Sequence, residues 1–360
     1  MAIAEHLVWS SAGASSDAVS PTLVQANVLA VRVYFLILAA LGLAALLLGI
    51  ENRLTPSLFA IAPPVDLVPP LDPQAWFAAF VRHQQDPVFA TCGGSENLAQ
   101  FQILYWWEWL RRGSTLLLAG TFGAGFLVAG LLPDYRFAVK RHVALCLLGL
   151  GYLAAVWGLD LAVARIADLA RYNTGQYRHA LDMTFTGVAL ALVMAAVIAP
   201  PAPAARSWAC GRAGSLFIAL IILDLCSGAL FASRDAISVW RGFPGYEAGV
   251  LPPLERLTAY APRWLNFSFN QYMIQLVHRL LSIGLWVGLI ANVARSGPCR
   301  AGAVALLALV TAQMATGVAT LSLGGSAVAS FLHEIGAILL LAGAFVVLGP
   351  GRAMLRAEPG

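Results

Sequence analysis

Along the chain, apolar stretches alternate with polar connections, and the pattern recurs eight times, near 31–50, 108–132, 139–160, 179–199, 214–232, 271–294, 301–323 and 328–349. A helix rises 1.5 Å per residue, so about 20 apolar residues cross the hydrocarbon core of a bilayer. Within lipid, backbone N–H and C=O groups must be satisfied by a helix or a closed barrel. Barrel strands need only about 10 residues, so runs of this length exclude them. The pattern predicts an all-α integral membrane protein with eight transmembrane helices.

Two long polar segments, 51–107 and 233–270, interrupt the series. Each follows the first span of a four-span set. The order of span, long loop and three further spans therefore occurs twice, which predicts two pseudo-symmetric four-helix bundles. The expected division is a tail at 1–30, an N-terminal bundle at 31–199 with outer loop 51–107, a C-terminal bundle at 200–350 with outer loop 233–270, and a tail at 351–360. The connections at 133–142, 205–214 and 294–300 and the tail carry arginine and lysine, which places them and both termini in the cytoplasm of a bacterial inner membrane. The segment 165–179 is also basic and falls outside, against that rule. Residues 1–28 lack the basic start and cleavage pattern of a signal peptide, so the first span is expected to be a retained anchor.

Composition agrees. Charged residues make up 11% of the 360 and apolar ones 59%, with mean hydropathy +0.76; soluble domains carry about 25% charged residues. The net charge of +4 is scattered, with no basic run that suits nucleic acid. Cys92, Cys146, Cys210, Cys226 and Cys299 have no metal-type spacing, and two lie inside apolar runs, which argues against a disulfide framework.

The chemistry concentrates in the second half. His278 lies about seven residues into the sixth span and His333 about five into the eighth, both entered from the outside, so both imidazoles sit roughly 8–11 Å below one surface. Two histidines at one depth on neighbouring helices can ligate one heme iron from opposite sides. Gln271, Gln275, His278 and Ser282 share one helix face, and Ala329, Gly336 and Gly343 place small residues along the His333 face, which predicts room for a flat macrocycle. The plainer alternative is two buried histidines held by hydrogen bonds. Asp224, a mid-membrane carboxylate, is a functional suspect, either serving the proton chemistry of a heme propionate or standing as a neutral hydrogen-bonded acid. Arg279, Arg53 and Arg234 at span ends could meet heme carboxylates or simply reach the interface. His142 reads as part of a cytoplasmic loop, His83 and His6 as solvated or interfacial, and the "YWWEW" run at 105–109 as an interfacial belt.

Several stretches resemble the heme A synthase family, membrane enzymes that oxidise a methyl group of heme O to the formyl of heme A for cytochrome oxidase. They are "SGALFASRDA" (227–236), "FPGYEAGVLPP" (243–253), "NFSFNQYMIQLVHR" (266–279) and "FLHE" (331–334) in the second half. In the first half they are "NRLTPS" (52–57), "PPLDPQAWFAAFVRHQQDP" (69–87) and "LAQFQILYWWEW" (98–109). The resemblance implies a heme b held through His278 and His333 with Gln275 and Arg279 beside it, heme O as substrate, and heme O synthase or terminal oxidase assembly factors as partners in the lipid membrane. It also implies a substrate site in the first half, built on a glutamate and two histidines. Glu108 stands at the glutamate. Arg111 and Asp182 stand at the two histidines, with His179 one turn before Asp182.

Arginine has no lone pair for iron, and a lone charge at membrane depth seeks a counter-charge. The expectation is therefore an Arg111–Asp182 salt bridge across the altered site, with Glu108 nearby. Three functions stay open: a heme A synthase, a heme b protein of electron transfer or heme handling without synthase chemistry, and a heme-free scaffold.

Overall fold

The computed structural model describes residues 21–54, 66, 68–85, 97–166, 175–198, 212–246, 249–295 and 300–348. The tail at 1–20 with His6, the basic connections at 205–211 and 296–299, the tail from 349, the side chain of Arg53, and Cys92, Cys210 and Cys299 lie outside the described residues.

Among the described residues, nine helices of twelve residues or more carry the architecture: α1 (Pro21–Leu54), α2 (Pro73–Gln84), α3 (Leu98–Leu131), α4 (Val139–Arg165), α5 (Gly175–Ile198), α6 (Arg212–Ser233), α7 (Gln271–Arg295), α8 (Arg300–Ser322) and α9 (Ala327–Val347). All but α2 are long and apolar enough to cross a membrane. No more than 33% of any span is buried inside the chain. Leu116, Leu117, Leu147, Leu150, Leu153 and Trp157 point outward, which suits lipid and not water. The chain is an integral membrane protein.

The helix α3 begins ten residues before the apolar run that announces it. Asn97 accepts from the Gln100 N–H at 2.9 Å and Gln100 returns the contact to the Asn97 N–H at 2.9 Å, a reciprocal capping box. The extra turns carry Phe101 and Tyr105, both fully buried against Trp76 and Phe80 of α2. The "YWWEW" run is thus partly core and not only an interfacial belt: Tyr105 is enclosed, and its hydroxyl receives the Asp66 N–H.

In each half the four spanning helices pack in the same cyclic order. In the first half α1 meets α3 and α5, α4 meets α5, and α3 touches α4 only lightly; in the second α6, α7, α8 and α9 close a ring. The seam between halves is α5 against α6 and α9, lined by Leu190, Ala191, Ile221, Leu340 and Leu341. Gly187 of α5 lets Leu225 of α6 approach closely there, since a Cβ at that glycine would sit 2.7 Å from Leu225 Cδ2. The segment 263–269 lies over the first half, with Leu265 and Phe269 packed against Ala162 and Tyr177 and the Tyr177 hydroxyl bonded to Ser268.

Two histidines differ from expectation. His142 belongs to α4 and is 1% exposed: Tyr34, Phe35, Phe122 and Phe126 surround it, Tyr34 Oη lies 2.9 Å from Nε2, and Nδ1 meets the Ala138 carbonyl at 3.0 Å. The 3₁₀ turn at Pro133–Ala138 folds the supposed loop back into the bundle. Gly125 makes space for this box, since a Cβ there would sit 2.2 Å from the Tyr34 ring. His83 is buried on α2 beside Phe101, with ring centroids 5.2 Å apart.

Candidate functional site: two histidines over one cavity

The polar stripe of α7 meets α6 and the loop that follows it, residue by residue. Gln271 Nε2 donates to the Arg234 carbonyl at 2.7 Å. Gln275 Nε2 donates to Ala236 O at 2.9 Å and Trp240 O at 2.7 Å, which holds the outer loop rather than lining the cavity. His278 Nδ1 lies 2.8 Å from Ser227 Oγ and 3.1 Å from Asp224 Oδ1. Ser282 Oγ donates to both carboxylate oxygens of Asp224, at 3.0 and 3.2 Å. A carboxylate at this depth needs such donors to offset its desolvation.

The helix α8 treats His333 in parallel. His333 Nδ1 meets the Gln313 carbonyl at 3.1 Å and Thr316 Oγ1 at 3.2 Å. Thr316 Oγ1 donates to the Gln313 carbonyl at 2.9 Å, as Ser227 Oγ donates to the Asp224 carbonyl at 2.8 Å. With their own protons spent, both hydroxyls accept from the rings, so each Nδ1 carries the proton and each Nε2 keeps its lone pair. Gln313 Nε2 stands 3.5 Å from His333 Nε2 and donates to the His333 carbonyl at 2.8 Å.

The two rings lie 6.3 Å apart between centroids, with planes at 87°. A glycine backs each: a Cβ at Gly228 would lie 3.2 Å from His278 Cε1, and one at Gly317 would lie 2.8 Å from His333 Cε1. The glycines of α9 do something else. Gly336 faces Gln313, whose Oε1 would meet a Cβ at 2.2 Å, and Gly343 faces Leu309. The small face of α9 therefore seats α8 and does not hold space for a ring.

The space lies instead beside the rings, in a cavity of about 840 Å³. Its walls include Asp224, Gly228, Phe231, Ser282, Gly317 and Met314. Arg279 lines it too, 6% exposed, with its guanidinium 4.6 Å from the Tyr246 ring centroid and donating to Gly245 O at 3.3 Å. Its Nε has no hydrogen-bond partner among the described residues. His179 and Met183 of α5 reach the same cavity from the other half.

The first half arranges its polar groups differently. Glu108, 4% exposed, is clasped by two arginines of its own helix. Arg111 Nε and Nη2 reach its two oxygens at 2.7 Å each, and Arg112 Nε reaches Oε1 at 2.6 Å. Asp182 accepts from the Tyr152 hydroxyl, and Arg178 pairs with Asp160 at 2.6 Å. The expected Arg111–Asp182 salt bridge is not formed. Arg111 finds a carboxylate one turn away on its own helix, a geometry that costs no movement between helices. His179 thus lines the second-half cavity while Asp182, one turn later, faces α4.

Of the sequence-predicted residues, the fold brings His278, His333, Arg279 and Asp224 to one cavity, and Glu108 and Arg111 to one ion pair. Ser227, Gly228, Gln313, Thr316 and Gly317 escaped notice. Their signal is a repeated pattern, a polar residue followed three positions later by Ser or Thr and then Gly, as "DLCSG" at 224–228 and "QMATG" at 313–317.

Comparison with known proteins adds the lineage. Residues 32–345 match the COX15-CtaA family model, described as cytochrome oxidase assembly protein. A heme A synthase of Methylobacterium radiotolerans is 30% identical over 350 residues, covering 92% of each chain. One of Methylobacterium nodulans is 32% identical, over 84% of this chain and 87% of the relative. One of Methylorubrum extorquens is 31% identical, over 87% and 84%. The match runs through both halves and contains every residue of the cavity and of the Glu108 cluster, so the chain belongs to the COX15-CtaA family of cytochrome oxidase assembly proteins.

Proposed function

We propose that this protein is a heme A synthase-type membrane hemoprotein acting in cytochrome oxidase biogenesis, with a heme b held between His278 and His333 in its C-terminal half. The observation that carries the reading is the paired histidines, whose Nδ1 atoms are both engaged and whose rings stand 6.3 Å apart. Two metal–nitrogen bonds of about 2.0–2.1 Å each, added to the two ring half-widths, reach a comparable separation. A cavity of about 840 Å³ falls within the ~300–1,000 Å³ usual for cofactor sites. The residues present therefore fit the group.

In this reading His278 and His333 would hold the iron, and Arg279, buried with an Nε that has no hydrogen-bond partner among the described residues, would pair with carboxylates of the macrocycle. Held by two histidines, the heme would supply one-electron transfer. The chain's own residues hold the ring protons on Nδ1, seat the imidazoles against Gly228 and Gly317, and line the cavity with Phe231, Met314 and Leu340 beside Asp224 and Ser282. The substrate is heme O in the N-terminal half, with Glu108 as the catalytic residue. The termini lie in the cytoplasm of a bacterial inner membrane, the two halves are four-helix units, and the partners are heme O synthase and oxidase assembly factors.

A second reading has a specific observation in its favour. Glu108 is already neutralised by Arg111 and Arg112, and neither Arg111 nor Asp182 offers iron an imidazole. On that reading the protein is a heme b electron-transfer or heme-handling subunit without methyl oxidation. One experiment separates them. The purified protein is expected to give a low-spin b-type spectrum, and membranes supplied with heme O are then extracted and searched for heme A. Heme A above the vector control supports the synthase; a b-type spectrum without heme A leaves the electron-transfer reading; absence of any b-type signal overturns both.

A further inference from the structure

The two histidine cradles share one design and differ in one group. Each ring rests on a helix carbonyl, a hydroxyl three residues later and the following glycine, at 224–228 for His278 and 313–317 for His333. At the first position of the pattern, however, α6 carries a carboxylate and α8 an amide. Asp224 turns its side chain onto the ring proton of His278, with Oδ1 at 3.1 Å from Nδ1. Gln313 turns its amide away from Nδ1, to the His333 carbonyl. His333 Nδ1 is left with neutral acceptors alone.

We propose that Asp224 is a positioning residue that makes His278 the stronger electron donor of the pair and lowers the reduction potential of the iron they hold. The inference rests on the bis-histidine reading above. An imidazole whose second N–H is given to a carboxylate gains basicity, and that favours the more positive, oxidised metal. The effect grows as water is excluded, and the Asp224 and His278 side chains, 16% and 17% exposed, stand on the wall of the cavity. An uncompensated carboxylate at membrane depth is expensive. Here three groups share the cost: the ring N–H, the Ser282 hydroxyl on both oxygens, and the protein dipoles around them. Ser282 also divides the carboxylate's acceptor strength, so it tempers what Asp224 gives to the ring. The two residues act on the same proton with opposite sign.

The test is an equilibrium redox titration of the purified full-length protein, followed at its b-type absorbance. Asp224→Asn keeps an acceptor of the same shape and removes the charge. Its midpoint is expected to rise, the preference for the oxidised state falling about tenfold, or ~59 mV for a one-electron couple. Ser282→Ala removes the competing donor and is expected to shift the midpoint the other way, by less. Opposite shifts support the proposal, because loss of packing alone does not reverse sign between two neighbours. Unchanged midpoints, or shifts in the same direction, overturn it while leaving the heme reading intact. Should Asp224→Asn fail to retain heme, Ser282→Ala decides alone: a lower midpoint supports, an unchanged or higher one overturns. A wild-type protein with no b-type spectrum overturns this inference and the heme reading together.

Discussion

In the second half of the chain, two histidines commit Nδ1 to the scaffold and stand beside a cavity of about 840 Å³; in the first half, the groups that the family resemblance sets at the matching positions are spent on neighbours. Arg111 is bound to Glu108, and Asp182 to Tyr152. Both halves pack their spanning helices in the same cyclic order, so the difference is one of side-chain chemistry. An imidazole can give its N–H to the scaffold and still offer a lone pair. A guanidinium has only donors, and once paired with a carboxylate it offers nothing to a metal. On the proposed reading, the same framework holds a ligand site in one half, while the other half carries a closed ion-pair cluster. Tightness follows suit: α7 and α8 pack along their length, whereas α3 and α4 touch lightly.

The largest effect that would break this comparison is loss of the b-type spectrum. His278→Ala and His333→Ala are each expected to abolish the low-spin signal of the purified protein, and Arg111→Ala to retain it at wild-type amplitude. A signal that vanishes in Arg111→Ala, or survives both histidine variants, would put the ligand site in the other half.

Next in size is Glu108→Ala. It leaves two arginines facing each other around an emptied, buried position, and is expected to destabilise the protein by about 1–3 kcal/mol in detergent. That range is held low because the Arg111 and Arg112 side chains are 35% and 48% exposed and therefore partly screened. Thermal unfolding followed by circular dichroism measures it, and Glu108→Gln is expected to fall between the two. If the midpoint is unchanged, the cluster contributes nothing to the fold of the first half.

Smaller effects sharpen the second half. Gly317→Ala drives a Cβ to 2.8 Å from the His333 ring, and Gly228→Ala to 3.2 Å from the His278 ring. Overpacking of this kind costs about 1–3 kcal/mol. Heme occupancy, read as the absorbance ratio to protein, is expected to fall further for Gly317→Ala than for Gly228→Ala, and the reverse order would mean that the cradles are not rigid. The smallest is Tyr152→Phe, which strips Asp182 of its hydroxyl donor at about 0.5–1.5 kcal/mol and is expected to leave the heme spectrum untouched.

Much of this was legible in the chain. Eight apolar runs gave eight spanning helices because lipid leaves the backbone no other way to satisfy its hydrogen bonds. His278 and His333 could be paired from depth alone, since helix rise converts sequence distance into height. The partners of Arg111 were not legible. Counting charges predicted a bond across the bundle to Asp182, but side-chain reach along one helix turn brought Glu108 closer and Arg112 with it. His142 was misread because basic neighbours mark a loop by composition, whereas the 3₁₀ turn at Pro133–Ala138 carries it into an aromatic box. Asp224 stood out as a charge in an apolar run, yet its object, the ring proton of His278, came from the adjacent helix.

Length and hydropathy are one-dimensional properties, so the sequence alone determined the membrane class and the eight spanning helices. Which faces of those helices meet depends on packing among residues distant in the chain. Only the tertiary structure therefore decided that α6 turns Asp224 toward His278, that Gly336 seats Gln313, and that Glu108 is closed by its own helix. Rotation about a helix axis moves a side chain from one neighbour to another without changing its depth, and the packed core sets that rotation.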